Sequence, residues 1–186
     1  MNFCSSCGKR VALSIPEDDN RERFVCLSIQ CATIHYENPR IITGCLPIYG
    51  NKVLLCKRAI EPRYGLWTIP AGFMENGETT EQGALRESWE EAYANLHIDK
   101  LYALFNLPHI NQVYFIYKAD LLDTNFKAST ESLEVALFSE EDIPWNDLAF
   151  TVVEKTLRRY FADRKHDNFP LHIENIEKKT SRNAAK

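Results

Sequence analysis

Apolar and polar residues follow a pattern along the chain that predicts a β-rich body with two long helices. Apolar residues recur at helical spacing over 79–95 and 148–164, and Thr79 or Thr80 can cap the first of these helices. Apolar runs bounded by turn-forming residues predict strands over 41–48, 53–59, 66–69, 97–107, 112–122 and 133–138. We therefore expect an α/β fold, a sandwich in which helices cover both faces of a mixed sheet.

The two ends of the chain lack this pattern. Residues 1–38 are polar and turn-rich and hold four of the six cysteines. Residues 167–186 are polar and show no apolar periodicity. We expect a small separate domain over 1–38, the main domain over 39–166, and a C-terminal tail over 167–186. The tail should be partly disordered because it has little apolar surface to bury.

Composition and charge exclude some classes of function. The 186 residues are 45% hydrophobic and 26% charged, with a formal net charge of −4, so no broad basic surface predicts binding to nucleic acid or to an anionic membrane. Apolar runs stay below the roughly 18 residues that a membrane helix needs. The first residues lack the apolar segment of a signal peptide. These features predict a cytoplasmic protein, in which cysteines remain thiols or bind metal.

Four cysteines near the N-terminus form a candidate zinc site. Two residues separate Cys4 from Cys7, four separate Cys26 from Cys31, and 18 residues lie between the two pairs. This spacing is typical of a tetrahedral zinc ribbon, and so short a block needs such a crosslink because it lacks a core of its own. We expect a structural Zn²⁺ here, with four free thiols as the alternative. His35 is either a support for this site or an ordinary structural histidine.

Three glutamates in the first predicted helix form a second candidate metal site. Glu87, Glu90 and Glu91 are spaced i, i+3 and i+4, so their carboxylates lie on one face of the helix. Like charges this close repel one another, and a divalent cation turns the repulsion into attraction. Carboxylate oxygens favour Mg²⁺ or Mn²⁺. Taken alone, the three glutamates fit a solvated helix face better than they fit a metal site. The residues that precede them favour the metal site.

The stretch from Gly72 to Ala94 resembles the Nudix box, G-x5-E-x7-R-E-U-x-E-E-x-G-U, where U is a bulky apolar residue. The matching positions are Gly72, Glu78, Arg86, Glu87, Glu90 and Glu91. Ser88 replaces the first apolar residue, and Tyr93 replaces the glycine that ends the helix in this family. Tyrosine adopts the left-handed conformation of that glycine only at a cost of about 1 kcal/mol or more. We therefore expect the helix to continue to about Asn95.

The resemblance implies a fold and a reaction. The fold is the Nudix α/β/α sandwich, and the reaction is Mg²⁺- or Mn²⁺-dependent hydrolysis of a nucleoside diphosphate linked to another moiety. By this resemblance the box glutamates coordinate the metal, helped by a carbonyl near Ala71 or Gly72, while Glu78 and Arg86 orient the loop and helix through a salt bridge. The general base is a box glutamate or a carboxylate of a later loop. The candidates on later loops are Glu131, Glu134, Glu140 and Glu141.

A zinc ribbon followed by this box narrows the resemblance to the zinc-ribbon group of Nudix hydrolases. The likeness covers most of residues 1–164 and includes the segments 34–40, 59–67, 108–114 and 131–135. Members of this group act on FAD and ADP-ribose, which implies a dinucleotide substrate that is cleaved to AMP and a second monophosphate. Many relatives are dimers, which implies a homodimer.

Two alternatives remain at this point. NADH pyrophosphatases also combine zinc with the box, but they carry a Ser-Gln-Pro-Trp-Pro-Phe-Pro-like stretch after it, and the residues after Ala94 do not resemble that stretch. NADH is therefore the less favoured candidate for the preferred substrate. The other alternative is a zinc-ribbon protein that binds nucleic acid or removes RNA caps. The acidic residues of the ribbon offset its basic ones and make nucleic acid the less favoured partner.

Cations and flat side chains around the box are candidates for substrate binding. A dinucleotide needs cations for its phosphates and flat surfaces for its rings. The candidates are Arg58, Arg63, Trp67, Phe73 and Glu131, with His109, Gln112 and Tyr114 in addition. Structural roles are the alternative for each of them: Trp67 can pack in the core, and Arg63 can pair with Glu61 or Glu75.

Overall fold

The structure, a computed structural model, describes residues 1–178 and divides into two compact units, Met1–Pro39 and the residues from Arg40 onward. The first unit is a small antiparallel sheet. Its strands, in spatial order, are β1 (Val11–Ser14), β2 (Arg23–Cys26) and β3 (Ile34–His35). No helix in residues 1–178 is long and apolar enough to cross a membrane.

The second unit is built on an eight-stranded mixed sheet. Its strands are β4 (Arg40–Tyr49), β5 (Lys52–Arg58), β6 (Trp67–Thr68), β7 (Ala71–Phe73), β8 (Leu96–Leu107), β9 (Gln112–Leu121), β10 (Ser132–Phe138) and β11 (His172–Asn175). Helix α1 (Thr80–Ala92) follows β7, helix α2 (Thr151–Arg164) precedes β11, and two short 3-10 helices lie at Pro108–Ile110 and Trp145–Asp147. The order is β10-β5-β4-β9-β8-β11, with β6 beside β5 and β7 beside β4. The pairs β4–β9 and β8–β11 are parallel.

Apolar residues cover both faces of this sheet because they occupy consecutive positions in its central strands. In β5, Val53 and Leu55 pack in the cluster that holds the apolar stripe of α2, whereas Leu54 and Cys56 pack in the cluster that holds Ala84 of α1. Each helix therefore closes one face of the sheet. The predicted α/β fold with helices on both faces of a mixed sheet is confirmed.

Helix α1 begins as predicted and ends earlier than predicted. Thr79 caps its start, since its hydroxyl accepts from the Gln82 amide at 3.2 Å and its own amide donates to the Gln82 side chain at 2.8 Å. The helix ends at Ala92, and Tyr93 takes the left-handed conformation with φ 50° and ψ 32°. The prediction that the helix continues to Asn95 is wrong.

Contacts of the Tyr93 ring and amide account for this early end. The Tyr93 amide donates to Trp89 O at 2.8 Å, and the ring packs edge-on against the Trp89 ring with centroids 5.6 Å apart. Lys127 Nζ lies 4.6 Å from the centre of the same ring. Aromatic and cation–π contacts of this kind stabilise by about 0.5–1.5 kcal/mol each, which offsets the cost of the left-handed backbone.

Part of the predicted C-terminal tail, which the sequence indicates to be partly disordered, forms a strand. Within 167–186, strand β11 pairs in parallel with β8 at the edge of the sheet, and Ile176 is buried. Side chains of α2 supply the partners of this strand: Lys155 and Arg159 contact Glu174, and Asp163 contacts His172. Sequence analysis did not predict this strand, because its partners lie in α2 and not beside it in the sequence. Residues 179–186 lie outside the described part of the chain.

Candidate active site

Strand β7 and helix α1 bring the glutamate cluster to the sheet. Ala71, Gly72 and the next residue pair with β4, and α1 packs against the same strand. Glu87 and Glu91 are buried, at 9% and 6% exposure, whereas the side chain of Glu90 is 51% exposed. The i, i+3 and i+4 spacing therefore places the carboxylates of Glu87 and Glu91 in buried positions and leaves that of Glu90 exposed.

Gly72 makes room for the carboxylate of Glu87. A Cβ atom at this position would lie 2.3 Å from Glu87 Oε2, far inside the distance at which a carbon and an oxygen pack. The close approach of loop backbone and carboxylate therefore requires the missing side chain. This contact explains in physical terms why the box begins with glycine.

Arg86 joins the loop to the helix face. Its guanidinium donates to Glu78 Oε1 and Oε2 at 2.8 and 3.0 Å, which is a bidentate pair. The same group donates to Glu87 at 2.7 Å, to Glu90 at 2.9 Å and to Phe73 O at 3.1 Å. Hydrogen bonds from Arg86 and from the Glu75 amide together lower the pKa of Glu78 to about 2. The Glu78–Arg86 pair thus remains charged and holds the box loop on the helix.

Glu91 stands out electrostatically. Burial, together with the charge of Glu87, raises the pKa of Glu91 to about 8, although the Ala71 amide, 3.4 Å from Glu91 Oε2, and the charge of Arg58 oppose the rise. Burial also raises the pKa of Glu87 against the opposing effect of Arg86. Within residues 1–178 no salt bridge reaches Glu91. Two buried carboxylates with so little compensating charge are typical of functional sites.

A cavity of about 940 Å³ opens over this cluster. Glu87, Glu90, Glu91 and Glu131 are among the acidic residues that line it. The charge of Glu131 raises the pKa values of both Glu87 and Glu91, so all three carboxylates are in electrostatic range of one another. Arg58 also borders the cavity, and its guanidinium lies 5.2 Å from the centre of the Phe150 ring.

The structure brings most of the predicted binding residues to this cavity. Those that border it are Arg58, Arg63, Phe73, His109, Gln112, Tyr114 and Glu131. Trp67 does not, which contradicts its prediction as a substrate-binding residue. Its indole is 8% exposed and packs edge-on against Phe138 at 4.8 Å, because so large an apolar surface is more stable in the core.

Of the four carboxylates predicted as bases on later loops, the structure brings one to the cavity, Glu131. Glu134 lies 3.6 Å from Lys57, and Glu140 pairs with Arg164 at 3.0 Å. Neither these two nor Glu141 is among the described residues that border the cavity.

Sequence analysis missed two parts of the cavity wall. Phe150 precedes α2 and Ile176 follows β11, and both border the cavity. The spacing of α2 indicates which of its residues face the core, but it does not show that Phe150 reaches a site. The signal at Ile176 is a single apolar residue among polar ones, which is too weak to predict a role.

The four N-terminal cysteines form a separate cluster in the ribbon. Their sulfur atoms all lie within 4.8 Å of one another, with Cys4 and Cys31 3.8 Å apart and Cys7 and Cys26 3.4 Å apart. His35 Nε2 lies 3.3 Å from Cys4 Sγ. Burial raises the pKa of Cys4, but hydrogen bonds from backbone and His35 outweigh it and lower the pKa to about 5. Four converging thiols with one stabilised thiolate fit a tetrahedral zinc ion.

This chain is similar to a solved structure and to curated proteins. A NUDIX hydrolase crystal structure from Nitrosomonas europaea is 54% identical, with a TM-score of 0.92 over 96% of this chain and 100% of that one. An ADP-ribose pyrophosphatase from Methanocaldococcus jannaschii is 30% identical over 67% of this chain and 75% of its own length. The NAD-capped RNA hydrolase NudC from Vibrio vulnificus is 38% identical over 88% of this chain. The match covers 62% of the length of that protein.

Two family models match consecutive parts of the chain. The zinc-ribbon model described as Nudix N-terminal matches residues 2–37, where the four cysteines lie. The model described as NUDIX domain matches residues 38–161, which include the box, α1 and most of the residues that line the cavity. With well over half of its length in the second match, the chain belongs to the Nudix hydrolase family, in the form that carries an N-terminal zinc ribbon.

Proposed function

We propose that this Nudix hydrolase cleaves the pyrophosphate bond of a dinucleotide, with FAD or ADP-ribose as the preferred substrate. Water adds to one phosphorus, the bridging P–O bond breaks, and the products are AMP and a second monophosphate. The observation that carries the proposal is the position of Glu87, Glu90 and Glu91, which share one helix face and border a cavity of about 940 Å³.

The glutamate cluster fits a divalent cation. Nudix enzymes use a divalent metal, and the donors here are oxygen atoms, which favour Mg²⁺ or Mn²⁺ over softer ions. The burial of Glu87 and Glu91 leaves negative charge that Arg86 compensates only in part. Glu87, Glu90 and Glu91 would hold the ion, which when bound neutralises the phosphates and makes water more acidic. We propose Mg²⁺ as the main ion, with Mn²⁺ as a substitute.

Side chains around the cluster supply the other functions of the reaction. Arg58 is suited to hold a phosphate, because its Nε donates to Pro62 O at 2.9 Å and so orients the guanidinium. Glu131 is the proposed base that takes a proton from the attacking water, since it is the loop carboxylate in electrostatic range of Glu87 and Glu91. Arg86 and Glu78 position the loop and do not need to touch the substrate.

The size and lining of the cavity support a dinucleotide. Small-molecule sites usually have volumes of about 300–1,000 Å³, and a cavity of about 940 Å³ accommodates a substrate with two ring-bearing halves. Tyr114, Phe150 and Arg63 supply flat and cationic surfaces besides the carboxylates. An ADP-ribose pyrophosphatase among the relatives supports the same substrate class.

A substrate panel with a charge-neutral double variant tests the proposal. The wild-type protein should cleave FAD or ADP-ribose only when Mg²⁺ or Mn²⁺ is present, and Glu90→Gln with Glu91→Gln should abolish this turnover without unfolding the protein. Glu81→Gln is the matched control, since Glu81 lies in the first turn of the same helix and outside the cavity lining. Undiminished turnover in the double variant would show that the metal site is wrongly placed.

A second candidate function rests on the likeness to the Vibrio vulnificus NAD-capped RNA hydrolase, which extends over 88% of this chain. NADH and an NAD cap contain the same pyrophosphate linkage, so the glutamate cluster would serve them equally. NADH and an NAD-capped oligonucleotide therefore belong in the panel. Salt-sensitive RNA binding together with preferential cleavage of the cap would favour this function over the first.

Three further properties are proposals of the same kind. The ribbon thiols fit a structural Zn²⁺. We propose a homodimer, by likeness to the family, which light scattering coupled to size-exclusion chromatography tests. All six cysteines are free, which supports the proposed cytoplasmic location.

A further inference from the structure

Strand β11 is attached to helix α2 by the side chains of one face. Side chains two apart in a strand point the same way, and His172 and Glu174 both reach α2. His172 Nε2 lies 2.6 Å from Asp163 Oδ2, and Glu174 contacts Lys155 and also Arg159, the latter at 3.5 Å. Ile176 is the next residue on this face, and it packs in the same buried cluster as the N-terminal part of α2.

These contacts fix the register of β11 along the helix. As the strand advances from His172 to Glu174, its partners move back along α2 from Asp163 to Arg159 and Lys155. A two-residue advance along a strand covers about 6.6 Å, close to the rise of one helical turn, about 5.4 Å. The strand therefore runs toward the start of α2, where the cavity lies. Exposed ion pairs add little stability, but here they fix the position of a short edge strand.

The C-terminal end of β11 forms the wall of the cavity that lies away from the glutamates. Ile176 is 8% exposed and borders the cavity together with Phe150. Along one row of the sheet, Phe73 of β7 is followed by Ile42, Tyr114, Phe105 and then Glu174 of β11. Four strand-to-strand steps of about 4.8 Å place β11 roughly 19 Å from the box loop. A substrate that spans the cavity thus meets carboxylates at one end and, at the other, the apolar side chain of Ile176 beside Glu177 and Lys178.

We propose that Ile176 is a specificity-determining residue that contacts a ring-bearing end of the dinucleotide, and that Glu174 is the positioning residue that holds it there. The inference rests on the proposed dinucleotide hydrolysis. The ring end has apolar faces to bury, and Ile176 offers an apolar side chain at the cavity wall. The phosphates remain with Arg58 and the glutamates, so loss of Ile176 affects substrate binding and leaves the chemical step in place.

Steady-state kinetics with FAD and ADP-ribose test this role. Ile176→Ala should raise KM about tenfold with kcat changed less than threefold, the size of effect expected for an apolar contact to substrate. Ile176→Phe places bulk in the same wall and should also raise KM. Glu174→Gln should raise KM by a smaller factor, because the strand is then held less well. Ile173→Ala is the matched control, since Ile173 lies on the opposite face of β11 and is 66% exposed, and its KM should equal that of wild type.

The outcomes separate this inference from the proposed function. Wild-type turnover is measured first, and if no dinucleotide is cleaved, the proposed function and the inference both fail. If wild type is active and both Ile176 variants are folded with KM within twofold of wild type, the inference alone is overturned. A kcat loss at unchanged KM would likewise overturn it. An unchanged KM in Glu174→Gln would overturn the positioning role. Circular dichroism and thermal unfolding establish that each variant is folded.

Discussion

Gly72 and Glu87 are in closer contact than any side chain at position 72 would permit, since a Cβ there would lie 2.3 Å from Glu87 Oε2. The conflict would involve the tip of a flexible side chain, so Gly72→Ala should fold and displace the carboxylate. A displacement of about 1 Å in a catalytic group costs roughly 100-fold in rate. We expect kcat/KM to fall by about that factor while the melting temperature stays near that of wild type.

Gly50→Ala is the control for this prediction. A Cβ at Gly50 meets nothing within 4 Å, and the residue lies outside the cavity lining. This variant should lose only the stability that its φ of +60° costs a non-glycine residue, about 1 kcal/mol, and keep its turnover. Equal activity losses in both variants would show that the loss does not arise from contact between residue 72 and Glu87.

Burial of Glu91 predicts an unusual pH dependence of stability in the metal-free protein. The pKa of Glu91 is raised to about 8 in the folded state from an ordinary value of 4.5. Between these values the unfolded chain binds fewer protons than the folded one, so stability is highest near pH 4.5 and falls as the pH rises through 8. The loss should be on the order of a few kcal/mol, because a tenfold difference in proton affinity corresponds to about 1.4 kcal/mol.

Denaturant unfolding at several pH values in buffer free of Mg²⁺ and Mn²⁺ measures this effect. Glu91→Gln, which carries no charge, should show a flatter profile and exceed wild type in stability at pH 8. Added Mg²⁺ should restore the stability that the wild-type protein loses at pH 8. It should leave the stability of Glu91→Gln unchanged. Parallel profiles for the two proteins without metal would contradict the prediction.

The ribbon cluster predicts one zinc ion per chain. The four sulfur atoms lie within 4.8 Å of one another, and a unit this small depends on the metal for its folding. Metal analysis of the purified protein should find about one zinc, and Cys4→Ser with Cys7→Ser should remove it. Cys45→Ser is the control, because this thiol packs in the core of the second unit and is not one of the four clustered cysteines; its zinc content should match that of wild type.

The sequence alone predicted the features that depend on local spacing. Residues of α1 three and four apart share a face whatever surrounds the helix, so the glutamate triplet could be placed in advance. The same holds for the cysteine pairs of the ribbon and for the start of α1, where Thr79 or Thr80 was predicted as the cap and Thr79 is the cap. Continuous apolar runs in the predicted strands likewise indicated a sheet with two buried faces.

Features that depend on distant partners could not be predicted in this way. Strand β11 is polar and short, and it is held by partners in α2 and β8 that its own sequence does not reveal. Trp67 was assigned to the substrate because aromatic residues bind rings, but the neighbouring Phe138 determines that it packs in the core. Glu131 was one of four equivalent carboxylates until the turn before β10 placed it at the cavity.

Tyr93 at the end of α1 provides a last prediction, on stability alone. Its left-handed conformation, φ 50°, costs about 1 kcal/mol in any residue with a Cβ. The contacts of its ring with Trp89 and Lys127 offset this cost. Tyr93→Ala keeps the cost and loses the ring contacts, so it should be destabilised by roughly 1–2 kcal/mol. Tyr93→Gly loses the contacts and the cost together, and should remain within about 1 kcal/mol of wild type. Chemical denaturation measures both, and both should keep turnover, because Tyr93 does not border the glutamate cavity. If alanine proved as stable as glycine, backbone strain at this position would not be what the aromatic contacts offset.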